Sequence, residues 1–80
     1  MALKHKLFAQ YQTLTDVIPT TYALVETDTD YVVASGYHGH GKEWEQGYYF
    51  PKASGEDALK NAYIAFTSIV VSDRLTILEQ

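Results

Sequence analysis

The chain predicts a small α+β fold: an antiparallel β-sheet of three to four strands with helices packed on one face, in the order α-β-β-β-α-β. Three observations predict it. Residues 21–27 (TYALVET) and 30–37 (DYVVASGY) are rich in β-branched and aromatic residues and flank a short polar joint at Asp28 and Thr29, the pattern of a hairpin. After Ser54, apolar residues recur every three or four positions, as on one face of a helix. With 80 residues, 46% of them apolar and 14% aromatic, the chain has material for one core and forms a single domain over 1–80.

Each element has its own signal. Leu3, Leu7, Phe8, Tyr11 and Leu14 mark one side of a helix over residues 2–14. A strand competes there, because residues 10–15 are rich in Thr and Tyr. Asp16 and Pro19 punctuate the exit, and the hairpin follows. Gly36 weakens the end of the second strand or marks a bulge. Residues 38–46 read as a loop, and residues 47–50 begin a short third strand that Pro51 stops or confines to an edge. Ser54 then caps the second helix, with Glu56 and Asp57 in its positive first turn. Its apolar stripe is Leu59, Ala62, Tyr63, Phe66 and then Ile69 or Val70. Leu59, Tyr63 and Phe66 are expected to pack against Leu24, Val33 and a last strand at residues 75–78 (LTIL).

Composition removes whole classes of function. There is no cysteine, hence no disulfide framework, thiolate zinc site or cysteine nucleophile, which fits a reducing compartment. The first residues, MALKHKLFAQYQ, lack the apolar core of a secretory signal, and no run reaches membrane-spanning length. A soluble, cytoplasmic protein is expected. Net charge is −4, and the six basic residues are scattered with no stripe to follow a phosphate backbone. Direct nucleic-acid binding is not expected. The acids cluster more: Glu26, Asp28 and Asp30 at the hairpin tip, and Glu43 and Glu45 on either side of Trp44. They either keep a small domain soluble or attract a basic partner surface.

Residues 37–50 (YHGHGKEWEQGYYF) concentrate what remains: two histidines, the only tryptophan, three tyrosines and three glycines. Residues 36–42 match the spacing G-x-x-x-x-G-K, but Glu43 stands where a phosphate loop needs Ser or Thr. His38 and His40 share one side of an extended segment and supply two ligands at most, so no stoichiometric metal site and no cofactor is expected. No serine has a nearby His–Asp pattern or a nucleophile elbow. Asp28 and Asp30 are turn formers on an exposed tip rather than an acid–base pair. No catalytic residue is assigned, and the chain is read as a non-enzyme.

The aromatics carry the functional reading. Tyr31, Tyr37, Trp44, Tyr48, Tyr49 and Phe50 exceed what a core this small needs, and strand alternation sends Tyr48 and Phe50 to one face and Tyr49 to the other. They either fill the core or form a binding surface, since Tyr and Trp commonly anchor interfaces. The expected partner-binding residues are Tyr37, Glu43, Trp44, Glu45, Tyr48 and Tyr49, with Glu26, Asp28 and Asp30 steering association. Trp44, set between two glutamates, is expected to be partly exposed in the free protein.

Residues 47–66 (GYYFPKASGEDALKNAYIAF), a strand leading into an acidic and then Ala-rich helix, resemble the β-β-β-α core of HicB-type antitoxins. The family's Gly–Asp–Thr lead into the helix and its appended DNA-binding module are missing. The resemblance implies an antitoxin-like or regulatory module. Size and acidity suggest another class: a protein that binds and occludes a larger protein, as phage and mobile-element inhibitors of host defence such as anti-CRISPR proteins do. A homo-oligomeric structural subunit is a further alternative.

Overall fold

The computed structural model describes residues 5–37 and 44–79. Among them, four strands and one long helix form an α+β fold: β1 (Lys6–Gln12), β2 (Thr21–Glu26), β3 (Asp30–Ser35), β4 (Gln46–Pro51) and α1 (Ala58–Leu78), with a 3₁₀ turn at Lys52–Ser54 before the helix. The sheet is an antiparallel meander in the order β1-β2-β3-β4, so β2 and β3 are central and β1 and β4 are edges. The predicted α-β-β-β-α-β order becomes β-β-β-β-α.

The central hairpin is the frame. Leu24 pairs with Val33 and Val25 with Val32. Ala23–Leu24–Val25 and Val32–Val33–Ala34 are all at most 1% exposed, so both faces of the sheet are covered. This explains why these strands read as continuous apolar runs rather than alternating ones. One face lies under α1, where Leu24 and Val33 cluster with Ala62 and Phe66. The other carries Ala23, Val25, Val32 and Ala34 beneath Trp44 and Tyr37.

β1 is a strand where helical spacing was expected over residues 2–14; residues 2–4 of that span lie outside the described residues. The register explains the difference. Leu7 stands opposite Val25 and Ala9 opposite Leu24, so Phe8 is an extra, bulged residue. The bulge puts Phe8 and Ala9 on the same face, where both join Tyr11 against the helix-side cluster. A period of two with one inserted residue imitates the three-and-four spacing of a helix. Leu14, the last residue of the supposed stripe, is exposed.

The expected last strand is also absent: residues 75–78 are the final turn of α1. After Gly55 the chain holds neither Gly nor Pro to stop the helix. The hydroxyls of Ser68 and Thr76 donate to the carbonyls of Ile64 and Ser72 four residues back, so these polar side chains are accommodated within the helix. Its start is later than expected as well. The Ser54 hydroxyl donates to the Pro51 carbonyl, and Asp57 occupies the N-cap position without a side-chain cap bond. Of the predicted core stripe, Phe66 and Ala62 are buried and Leu59 is half-buried. Tyr63 is 43% exposed, at the margin beside Phe8.

Two glycines have local reasons. Gly36 ends β3 at φ +70°, and its N–H and that of Tyr37 both donate to the Thr21 carbonyl, turning the chain off the sheet. Gly47 leaves room for the side chains of Val32 and Tyr49 on the sheet beside it. A Cβ there would stand 2.9 Å from Val32 Cγ1 and 3.2 Å from the Tyr49 ring. Gly47→Ala is expected to lower stability by roughly 1–3 kcal/mol, the usual result of overpacking, read from the urea midpoint.

Candidate functional site

Of the aromatic residues singled out above, Tyr37, Trp44 and Tyr49 meet on the sheet face opposite α1, whereas Tyr31 and Phe50 pack on the helix side. Trp44 packs against the small-residue layer and is only 8% exposed. Its Nε1–H donates to the Tyr49 hydroxyl at 3.0 Å. The His5 ring stands edge-on to Tyr37 and to Trp44, both with ring centres 5.6 Å away, and His5 Nε2 is hydrogen-bonded to the Tyr37 hydroxyl at 2.8 Å. His5 is a member that sequence reasoning misses, because the spacing of its segment reads as a helix.

The expectation that Trp44 is partly exposed is therefore overturned. Ala23, Val25, Val32 and Ala34 leave an apolar hollow on this face, and the indole fills it. A buried indole between two glutamates would ordinarily drag them into apolar surroundings. Glu45 avoids this: its N–H donates to the Ser35 carbonyl at 3.0 Å while its side chain turns outward over Gly36. Glu43 lies outside the described residues, as do His38, His40 and most of the glycine-spaced segment. Among the described residues no group of three or more His, Asp or Glu is placed to hold a metal ion.

Tyr48 and Tyr49 are the exposed members, 65% and 55% accessible on opposite faces of the edge strand β4. Tyr48 sits beside Tyr22 and Ile69 at the helix-side margin. The acidic residues fall at the far end. Asp30 pairs with Pro51, whereas Ser35, near Trp44, pairs with Gln46. The tip acids are not equivalent. The Glu26 carboxylate takes a 2.6 Å salt bridge from Lys52, whose ammonium also lies 5.4 Å from the centre of the Tyr31 ring. The hydrogen bond to Glu26 holds the Lys52 pKa above its ordinary value. Asp30 accepts from the Thr29 hydroxyl at 2.6 Å, and Asp28 is exposed. Glu26 is thus answered within the molecule, leaving Asp28 and Asp30 as the outward charge.

A second cluster went unforeseen. Asp73, buried on α1, accepts hydrogen bonds from the Tyr11 hydroxyl at 2.5 Å, the Leu14 N–H at 2.9 Å and the Thr15 hydroxyl. These donors, the Thr15 hydroxyl first and the Tyr11 hydroxyl next, lower its pKa to about 2 from an ordinary 3.8. The Tyr11 phenol is pushed up, chiefly by donating to Asp73. No sequence signal marked Asp73, which falls in a Ser-Asp-Arg stretch that reads as a joint. A carboxylate with a depressed folded pKa stabilises the fold above its unfolded value and loses that contribution as pH falls. Stability should therefore decline between about pH 4 and pH 2 from this group. In Asp73→Asn the melting temperature should fall at neutral pH, and this part of the acid dependence should flatten. A thermal melt series from pH 7 to pH 2 checks both.

None of the described helices is long and apolar enough to cross a membrane. No family model matches the chain, and neither a curated protein nor a solved structure matches it.

Proposed function

We propose that this chain is a small, acidic, non-catalytic protein that acts by protein–protein interaction, covering a working surface of a larger partner in the manner of mobile-element inhibitors of host defence. The observation that carries this reading is the edge strand β4. Among the described residues it pairs only with β3, and it holds Tyr48 and Tyr49 65% and 55% exposed on its two faces. Rigidly mounted, amphipathic tyrosines provide contact area at low entropic cost. The sheet fixes the Tyr48 backbone, and the Trp44 indole N–H positions the Tyr49 hydroxyl. An open strand edge can also accept a strand from a partner. Asp28 and Asp30, at the Pro51 end of the same strand, suit a partner with a basic rim and would act mainly on association rate.

The test starts with capture from bacterial lysate by the tagged chain, with the mass of the complex read by light scattering, then titration of the purified partner. Tyr48→Ala should weaken binding by about 2 kcal/mol or more, roughly 30-fold, with the melting temperature unchanged within a few degrees. A partner bound equally well by Tyr48→Ala, or no stoichiometric partner, sinks the reading. Capture of a small cognate toxin would favour the antitoxin-like module instead.

A further inference from the structure

The far side of α1 carries an apolar seam of its own. Ala58, Ala62 and Phe66 face inward and are buried. Facing outward, Ile64 is 55% exposed, Val71 48%, Leu75 50% and Leu78 79%. Residues 61–72 carry no charge at all. A surface helix ordinarily turns a polar face to water, and scattered exposed apolar residues mean little. Here they are contiguous. Ile64, Val71 and Leu78 recur at intervals of seven, with Leu75 between the last two, so they keep to one seam along the helix.

We infer that a second copy of this chain covers the seam, α1 against α1, antiparallel about a twofold axis at the level of Ile69 and Val70. What selects a copy over another protein is that the seam complements itself. In an antiparallel pair about that axis, Ile64 faces the Leu75 of the other copy, and Ser68 faces its Val71. Lys60 faces its Glu79. Large apolar residues meet on the flanks, a small residue meets a branched one near the axis, and a cation meets an anion at each end. Symmetry supplies every match twice, as an isologous interface requires. The antiparallel arrangement also opposes the two helix dipoles. The 21 residues of α1 give an edge about 30 Å long. This pairing leaves the edge strand β4 free for another protein, and it needs no partner to be tested.

The absence of cysteine allows a direct test on the purified 80-residue chain. Light scattering should give twice the 9.0 kDa chain mass, and Val71→Glu should give the single mass with an unchanged circular dichroism spectrum. Lys60→Cys mixed with Glu79→Cys should form a disulfide under mild oxidation. Lys60→Cys alone should not, because two copies of position 60 would stand about 28 Å apart, far beyond the roughly 7 Å reach of a disulfide. A parent chain that stays monomeric at the highest concentration reached would overturn the proposal, as would a dimer that survives Val71→Glu. Self-crosslinking of Lys60→Cys would overturn the antiparallel pairing.

Discussion

Replacing Phe66 by alanine is expected to lower stability by roughly 3–5 kcal/mol, the usual result of emptying a core aromatic site. Phe66 is 8% exposed and lies midway along α1, against Leu24 and Val33 of the two central strands. It joins the helix to the sheet at the point where the core is deepest. The backbones of β2 and β3 are held by ladders on both sides and cannot collapse into the space the ring leaves. A chain of 80 residues has only a few kcal/mol of net stability, so the variant should be largely unfolded at room temperature. Urea unfolding followed by far-ultraviolet circular dichroism measures this. A loss below about 1 kcal/mol would mean that the helix meets the sheet through another face.

Trp44→Ala should have an effect of similar size, about 3–5 kcal/mol, for a different reason. The side chains beneath the indole are Ala23, Val25, Val32 and Ala34, too short to close over the hollow. The face would then be open to water, and Tyr49 would lose the N–H that positions its hydroxyl. This reverses what an exposed interface residue would do, namely leave the melting temperature alone and weaken a partner. Trp44→Phe, which keeps most of the volume and loses the N–H, should fall between parent and Trp44→Ala. Thermal melts of the three proteins decide the point. A Trp44→Ala chain that melts within a few degrees of the parent would return Trp44 to the binding surface.

The parts of the fold that were legible in the sequence are those where one physical signal acts alone. The β2–β3 hairpin was readable because Asp28 and Thr29 separate two runs of β-branched residues. The third strand of the reading, β4, was readable because Pro51 bounds a Gly-Tyr-Tyr-Phe segment, and the expected split of Tyr48 from Tyr49 is seen. The errors arose where two signals overlap. Phe8, as a bulged residue, shifts the phase of β1 and makes it resemble a helix. Val70, Val71 and Thr76 favour strands in isolation, yet the absence of any breaker after Gly55 lets α1 run through them. Trp44 was misplaced because the charge of its neighbours outweighed the shape of the face it covers, which no local pattern reveals. Asp73 and its donors are 58 to 62 positions apart, beyond any spacing argument.

That last separation has a dynamic consequence. Asp73 ties the segment after β1 to the C-terminal half of α1, which otherwise extends beyond the middle of the core. The two pieces should therefore open as one cooperative unit rather than fray separately. In native-state hydrogen exchange, the amide of Leu14 and those of the last turns of α1 should share one opening free energy, below that of β2 and β3. Lowering the pH until Asp73 takes up a proton should release both together while the central hairpin stays protected. Acid would then produce a partly open molecule in which the segment after β1 and the C-terminal half of α1 are loosened by one proton at one carboxylate.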